Sequence, residues 1–218
     1  MKVNEIVDNM STEIICIIDK SGSMNSIKSD AIGGFNSFLT EQKDLKDDTR
    51  ITLSLFDSDY KSVYKNISLM DAEELNEETY VPSSMTALYD AIGISIDEAK
   101  QRYKNDPTNK PDRVLVVILT DGEENRSREY DQKRIFEMIK NQTEDEEWEF
   151  IFLAANQDAM KTGHSMGMKM GNTMTFASSA EGTAGVYAKM SASVKGYRSS
   201  KSKKADNLMN DTPDVSNN

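Results

Sequence analysis

Cysteine is almost missing from this chain. Cys16 is the only one, so no intrachain disulfide can form. It lies inside an apolar run, where a thiol reads as a packing group rather than a nucleophile. Histidine is equally scarce, with His164 alone, and the zinc sites built from Cys and His have no material here. Basic residues are outnumbered, 26 Lys and Arg against 37 Asp and Glu, for a formal net charge of −11. That balance argues against nonspecific nucleic-acid binding, which needs clustered cations to replace phosphate counterions. No apolar run approaches the roughly 18 residues of a membrane span. The start, "MKVNEIVDNMS", lacks the basic and apolar regions of a secretory signal, so the expected address is cytoplasmic. A Gly-x-x-x-x-Gly-Lys-Ser/Thr loop is also missing, which argues against nucleotide hydrolysis.

Short β-rich runs alternate with longer helical patterns. Strands are expected at Ile14–Ile18, Ile51–Phe56, Lys61–Leu69, Arg113–Leu119, Glu149–Ala155 and over "TMTFA" at 173–177. Helices are expected over Ser26–Lys46, Ala87–Tyr103, Asp131–Gln142, Gln157–His164 and Thr183–Tyr197, with a short one over Asp71–Glu78. "RVLVVIL" is a nearly continuous apolar run, as a central parallel strand covered on both faces requires. A tight connection through "SDY" joins the second and third strands, and the short gap predicts an antiparallel hairpin. The pattern predicts an α/β, doubly wound, Rossmann-like fold. Its central sheet is mostly parallel with one antiparallel edge strand and helices on both faces. The organisation expected is an N-terminal arm over 1–10, one domain over 11–198 and a disordered, apolar-poor tail over 199–218.

The chemistry gathers where strands end. The first strand stops at Asp19 and runs into Lys20-Ser21-Gly22-Ser23; the central one stops at Thr120-Asp121-Gly122. Ligands in open parallel sheets bind beyond the C-terminal strand ends. Each aspartate follows buried apolar residues directly, which is costly unless it meets a cation or several donors. A divalent cation between two such acids removes their repulsion. Carboxylates and hydroxyls are hard oxygen donors, suited to Mg²⁺. Taken alone, Ser21 and Ser23 also suit helix N-caps.

"DKSGSM" resembles the Asp-x-Ser-x-Ser signature of von Willebrand factor A domains. The family's metal-ion-dependent adhesion site, or MIDAS, adds a threonine and an aspartate from two further loops. "YVPSSMTALYDAIG" matches the second element at Thr86, and "LTDGEEN" matches the third at Asp121. With "TDGEENRSREY" and "AANQDA", the chain is most similar to stand-alone bacterial and phage-type members. The resemblance implies a metal set of Asp19, Ser21, Ser23, Thr86 and Asp121. It implies Mg²⁺ or Mn²⁺ as cofactor, and a protein partner whose Asp or Glu completes the coordination. It implies a binding module and no enzyme; the charge balance and the short apolar runs predict no nucleic-acid and no membrane partner. Relatives often carry glycine two residues before the threonine, a position open to φ > 0; this chain has Ser84.

Two other classes stand beside that reading. One is a Mg²⁺-dependent hydrolase or phosphoryl-transfer enzyme. Ser21, Asp121 and His164 follow the chain order of an α/β-hydrolase triad, though "DKSGS" is no Gly-x-Ser-x-Gly elbow. The other is a structural component with an idle metal site. Asp90 reads as a helix-start acid, and Glu123 and Glu124 as rim charges. Met24 and Met85 are partner contacts if exposed and packing if buried. The methionines of "MKTGHSMGMKMGNTM" read as apolar packing rather than a soft-metal site.

Overall fold

The computed structural model describes residues 10–155 and 158–209. Six strands form one sheet in the order β3-β2-β1-β4-β5-β6. They are β1 (Thr12–Asp19), β2 (Thr49–Phe56), β3 (Tyr60–Ser68), β4 (Arg113–Thr120), β5 (Glu149–Ala155) and β6 (Thr173–Phe176). Only the β2–β3 pair is antiparallel. The helices are α1 (Lys28–Lys43), α2 (Leu88–Asn105), α3 (Gln132–Asp145), α4 (Ala159–Ser165) and α5 (Ala180–Ser199).

The side-chain alternation of β1 divides the interior. Ile14, Cys16 and Ile18 face the core shared with α1 and α5, while Ile15 and Ile17 face the core shared with α2, α3 and α4. With both faces covered, β1 and β4 are apolar nearly throughout, and all eight residues of each are buried. Cys16 is the packing residue expected, and burial pushes its thiol up to about 12. Gly34 lets α1 approach α5 closely, because a Cβ there would lie 2.2 Å from the Tyr187 ring.

Strand order reverses between β1 and β4. The chain leaves β1 for one face of the sheet and β4 for the other, which opens a crevice at their C-terminal ends.

Two expectations need correction. Asp71–Glu78 is not a helix. A 3-10 turn over Leu69–Asp71 leads into irregular chain, and Asn36 clamps Leu75 through both its amide N–H (2.8 Å) and its carbonyl (2.9 Å). Burial of Ala72 and Leu75 overrides the helical propensity of the acidic run. The tail assigned to 199–218 begins too early. Ser199 ends α5, and residues 205–209 return against the sheet, with Leu208 and Met209 buried. Residues 210–218 and 1–9 lie outside the described residues.

Candidate functional site

Asp19 closes β1 and is fully buried. Its Oδ1 accepts the Ser21 N–H at 2.6 Å, and its Oδ2 accepts the Thr120 hydroxyl at 2.6 Å. The Tyr80 hydroxyl donates to the Asp19 carbonyl at 2.6 Å, tying the loop before α2 to the end of β1. Burial pushes the Asp19 carboxyl up to about 6; the Thr120 and Ser21 hydrogen bonds oppose that rise, and the nearby charge of Asp121 adds to it. Asp121 is raised too, again by burial, with the Ser23 hydroxyl opposing. Ser23 Oγ donates to Asp121 Oδ1 at 2.6 Å and lies 3.1 Å from Ser21 Oγ.

Thr86 joins this group from the loop before α2. A Cβ built on Gly122 would lie 2.8 Å from Thr86 Oγ1, 3.6 Å from Ser23 Oγ and 3.7 Å from Ser21 Oγ. One point beside Gly122 is therefore ringed by all three hydroxyls, and only a glycine leaves it clear. The five residues picked from the sequence all meet here: Asp19, Ser21, Ser23, Thr86 and Asp121. Among the described residues, no group of three or more His, Cys, Asp or Glu side chains is arranged to hold a metal. Any cation here would depend on the hydroxyls beside the two acids. That donor set fits a small, hard divalent cation.

The N-cap reading of the serines fails for Ser21. It stands at the cap position of the 3-10 segment Gly22–Ile27, yet its side chain makes no capping bond and turns toward Ser23 instead.

The surrounding loops are stitched by backbone bonds. Lys20 N donates to Phe56 O (2.7 Å), Ser83 N to Lys20 O (2.8 Å), Gly22 N to Ser84 O (3.1 Å) and Ala87 N to Asp57 O (2.8 Å). The Lys20 ammonium pairs with Asp57. Among the described residues no ion pair reaches Asp19 or Asp121. Ser84 adopts φ +63°, the left-handed conformation that a glycine would favour, so the loop keeps its path despite the substitution.

Other sequence candidates sort cleanly. Asp90 pins the loop after β4, taking the N–H groups of Arg128, Glu129 and Tyr130 at 2.8 to 2.9 Å. Glu124 is no rim charge: it accepts N–H bonds from Arg126 and Ser127 (2.7 Å each) and from Tyr89 (2.9 Å). Glu123 is exposed. Met24 is buried, whereas Met85 is 52% exposed beside Thr86. Met166 and Met168 pack in the core. His164 is exposed on α4, and none of the hydrogen bonds of Ser21 and Asp121 described above involves it. Thr120 was read from sequence only as a strand end. The signal was the hydroxyl directly before Asp121, beside the parallel neighbour that ends in Asp19.

The family model of the von Willebrand factor type A domain matches residues 13–188, well over half of the chain. The chain belongs to that family. No curated protein matches it in sequence. Solved structures share the fold at low identity. Proximal thread matrix protein 1 from the mussel byssus, solved with a zinc-occupied MIDAS motif, superposes with a TM-score of 0.61 at 13% identity, covering 83% of this chain and 47% of that one. A von Willebrand factor type A protein from Catenulispora acidiphila gives 0.58 at 14%, covering 86% and 43%. The pilus adhesin SpaC from Lactobacillus rhamnosus GG gives 0.63 at 14%, covering 84% and 30%. This A domain thus spans less than half the length of each of these proteins.

Proposed function

We propose that this A domain is a divalent-metal-dependent protein-binding module rather than an enzyme. Asp19, Ser21, Ser23, Thr86 and Asp121 would hold Mg²⁺ or Mn²⁺, the two acids directly or through water. The observation that carries this reading is a charge imbalance. Asp19 and Asp121 meet at the crevice with hydroxyl and N–H donors but no protein cation, because the neighbouring Lys20 is paired with Asp57. A bound cation would supply that charge and offer a Lewis-acidic position to a carboxylate of the partner.

The chain's own residues set the terms. Thr120 and the Ser21 N–H each take one oxygen of Asp19, which fixes the carboxyl plane before any ligand arrives. Neutral hydroxyls supply the remaining donors, so they leave the cation's positive character intact for an acidic partner group. The net charge of −11 opposes an acidic partner at long range, so recognition rests on local shape and coordination. Met85, exposed next to Thr86, offers an apolar contact at the rim. The similar folds of a pilus adhesin and a matrix protein agree with an interaction role.

The test is calorimetric titration of Mg²⁺ and Mn²⁺ into chelator-stripped protein, with Asp19→Ala in parallel, repeated in acetate. Saturable one-site binding that the variant loses is the expected result. Wild-type protein that binds neither ion, with or without acetate, overturns the reading.

A further inference from the structure

Thr86 is the member of the cluster not borne on a strand end, so something else must place it. That residue is Asn125. Thr86 N donates to Asn125 Oδ1 at 3.0 Å, and Asn125 N donates back to Thr86 O at 3.0 Å. The reciprocal pair clasps the loop bearing Thr86 to the loop bearing Asp121. Neighbouring bonds extend the clasp into α2. Glu124 accepts the Tyr89 N–H at 2.9 Å, and Ser127 Oγ accepts the Asp90 N–H at 3.0 Å. The Thr86 hydroxyl faces the space that Gly122 leaves open, 2.8 Å from where a Cβ would stand, so the clasp at its backbone is what holds it in place.

We propose that Asn125 determines the ion specificity of the site. By locking Thr86 against the Asp121 loop, it holds the cage at the size of a small cation and disfavours Ca²⁺. The inference rests on the metal-binding reading above. Its physical basis is the contrast between the two ions. Mg²⁺ needs near-octahedral oxygens at roughly 2.0–2.1 Å, whereas Ca²⁺ accepts six to eight at about 2.3–2.6 Å in flexible geometry. A cage that cannot widen favours the first; one with a loose threonine tolerates the second. Asn125 touches no proposed ligand atom, because its bonds go to the backbone of Thr86. It is a positioning residue, and its effect belongs in the ratio of ion affinities.

The experiment titrates Mg²⁺, Mn²⁺ and Ca²⁺ separately into chelator-stripped wild type, Asn125→Ala and Asn125→Asp. Asp keeps an acceptor oxygen for the Thr86 N–H; Ala does not. Losing an outer partner of a metal ligand typically costs about 10–100-fold in affinity. Asn125→Ala is therefore expected to lose Mg²⁺ affinity about tenfold while Ca²⁺ affinity holds, so the Mg²⁺/Ca²⁺ ratio falls about tenfold. Asn125→Asp is expected to keep the wild-type ratio. A parallel loss for all three ions in Asn125→Ala, or no loss, overturns the inference and leaves the metal site standing. Wild type that binds none of the ions overturns both. Should Asn125→Ala melt too low to titrate, Asn125→Gln sets the amide one methylene further away; an unchanged ratio there overturns the inference equally.

Discussion

Acids are drawn out of water at both ends of this sheet, and the pair at the crevice is balanced differently from those at the opposite end. At the N-terminal strand ends, Glu13 meets Arg102, the Tyr103 hydroxyl (2.6 Å) and the Thr52 hydroxyl (2.7 Å). Glu149, on β5, meets Lys169 at 2.8 Å, the Ala205 N–H at 3.0 Å and Asn172. Each is buried and each has a protein cation. At the C-terminal strand ends, Asp57 is paired with Lys20, but among the described residues buried Asp19 and half-buried Asp121 have donors and no cation. On the metal-binding reading proposed above, the difference separates charges that hold the fold together from charges left for a ligand.

The comparison is broken most severely at the N-terminal strand ends. Removing one partner of a buried ion pair leaves an uncompensated charge and costs about 3–5 kcal/mol. Arg102 is partly exposed, so Arg102→Ala should fall near the bottom of that range, about 3 kcal/mol by urea denaturation. Stability within 1 kcal/mol of wild type would mean that Tyr103 and Thr52 suffice for Glu13.

At the other end the same kind of change should do little to the metal-free protein. In Asp19→Asn the amide oxygen can still accept the Ser21 N–H, and the amide nitrogen can donate to Thr120 Oγ1. The variant also removes a carboxyl whose ionisation burial already disfavours. The melting temperature without metal should stay within a few degrees or rise. On the metal-binding reading, saturating Mg²⁺ should separate the proteins: at about 100 times the dissociation constant wild type is expected to gain roughly 2.7 kcal/mol and the variant nothing. Equal responses to Mg²⁺ would erase the distinction between the two ends.

The segment after α5 sharpens the comparison at the N-terminal strand ends. Met209 is fully buried and its N–H donates to Gly171 O at 3.0 Å; Leu208 N donates to Asn172 Oδ1 at 2.9 Å. Arg113 donates to the Tyr197 and Arg198 carbonyls at the end of α5 and to that of Ser200 just beyond it, before this return. Truncating a buried Met usually costs about 2–5 kcal/mol. Met209→Ala should therefore cost at least about 2 kcal/mol, read by thermal melting. A melting temperature equal to wild type would show that the strap contributes nothing. The same substitution should leave metal affinity unchanged, since Met209 bonds to Gly171 and its neighbour Leu208 to Asn172 and Ser193, none of them in the three loops of the crevice.

What was legible in the sequence follows the same division. The strands could be read because β-branched runs buried on two faces leave no ambiguity, and Glu149–Ala155 falls on its expected bounds. The meeting of the five crevice residues could be read because Asp19, Ser21, Ser23 and Asp121 follow two strand ends and a family pattern adds Thr86. The strap could not be read. Leu208 and Met209 are two apolar residues in a polar stretch, and only the tertiary partners Asn172 and Gly171 show that they have somewhere to go. Asn125 was invisible for a related reason: its role is a pair of bonds to a loop 39 positions earlier. The failed helix over Asp71–Glu78 shows the converse, with local propensity overruled by the Asn36 clamp on Leu75.

The smallest expected effect tests whether the ligand end carries strain as well as unbalanced charge. Ser84 holds φ +63° between Ser83, bonded to Lys20, and Met85, whose N–H donates to Ser58 Oγ at 3.2 Å. A non-glycine residue in that region carries a conformational cost of roughly 1–2 kcal/mol. Glycine removes that cost but adds chain entropy to the unfolded state, roughly 0.5–1 kcal/mol in the other direction. Ser84→Gly should therefore stabilise the protein by a few tenths to about 1 kcal/mol. Measured by denaturant midpoint at constant slope, a destabilised variant would mean that the Ser84 side chain earns its place in the loop. A stabilised variant with unaltered Mg²⁺ affinity would show that the backbone path, carried by Gly22 N to Ser84 O and Ser83 N to Lys20 O, sets the crevice whatever side chain stands at the bend.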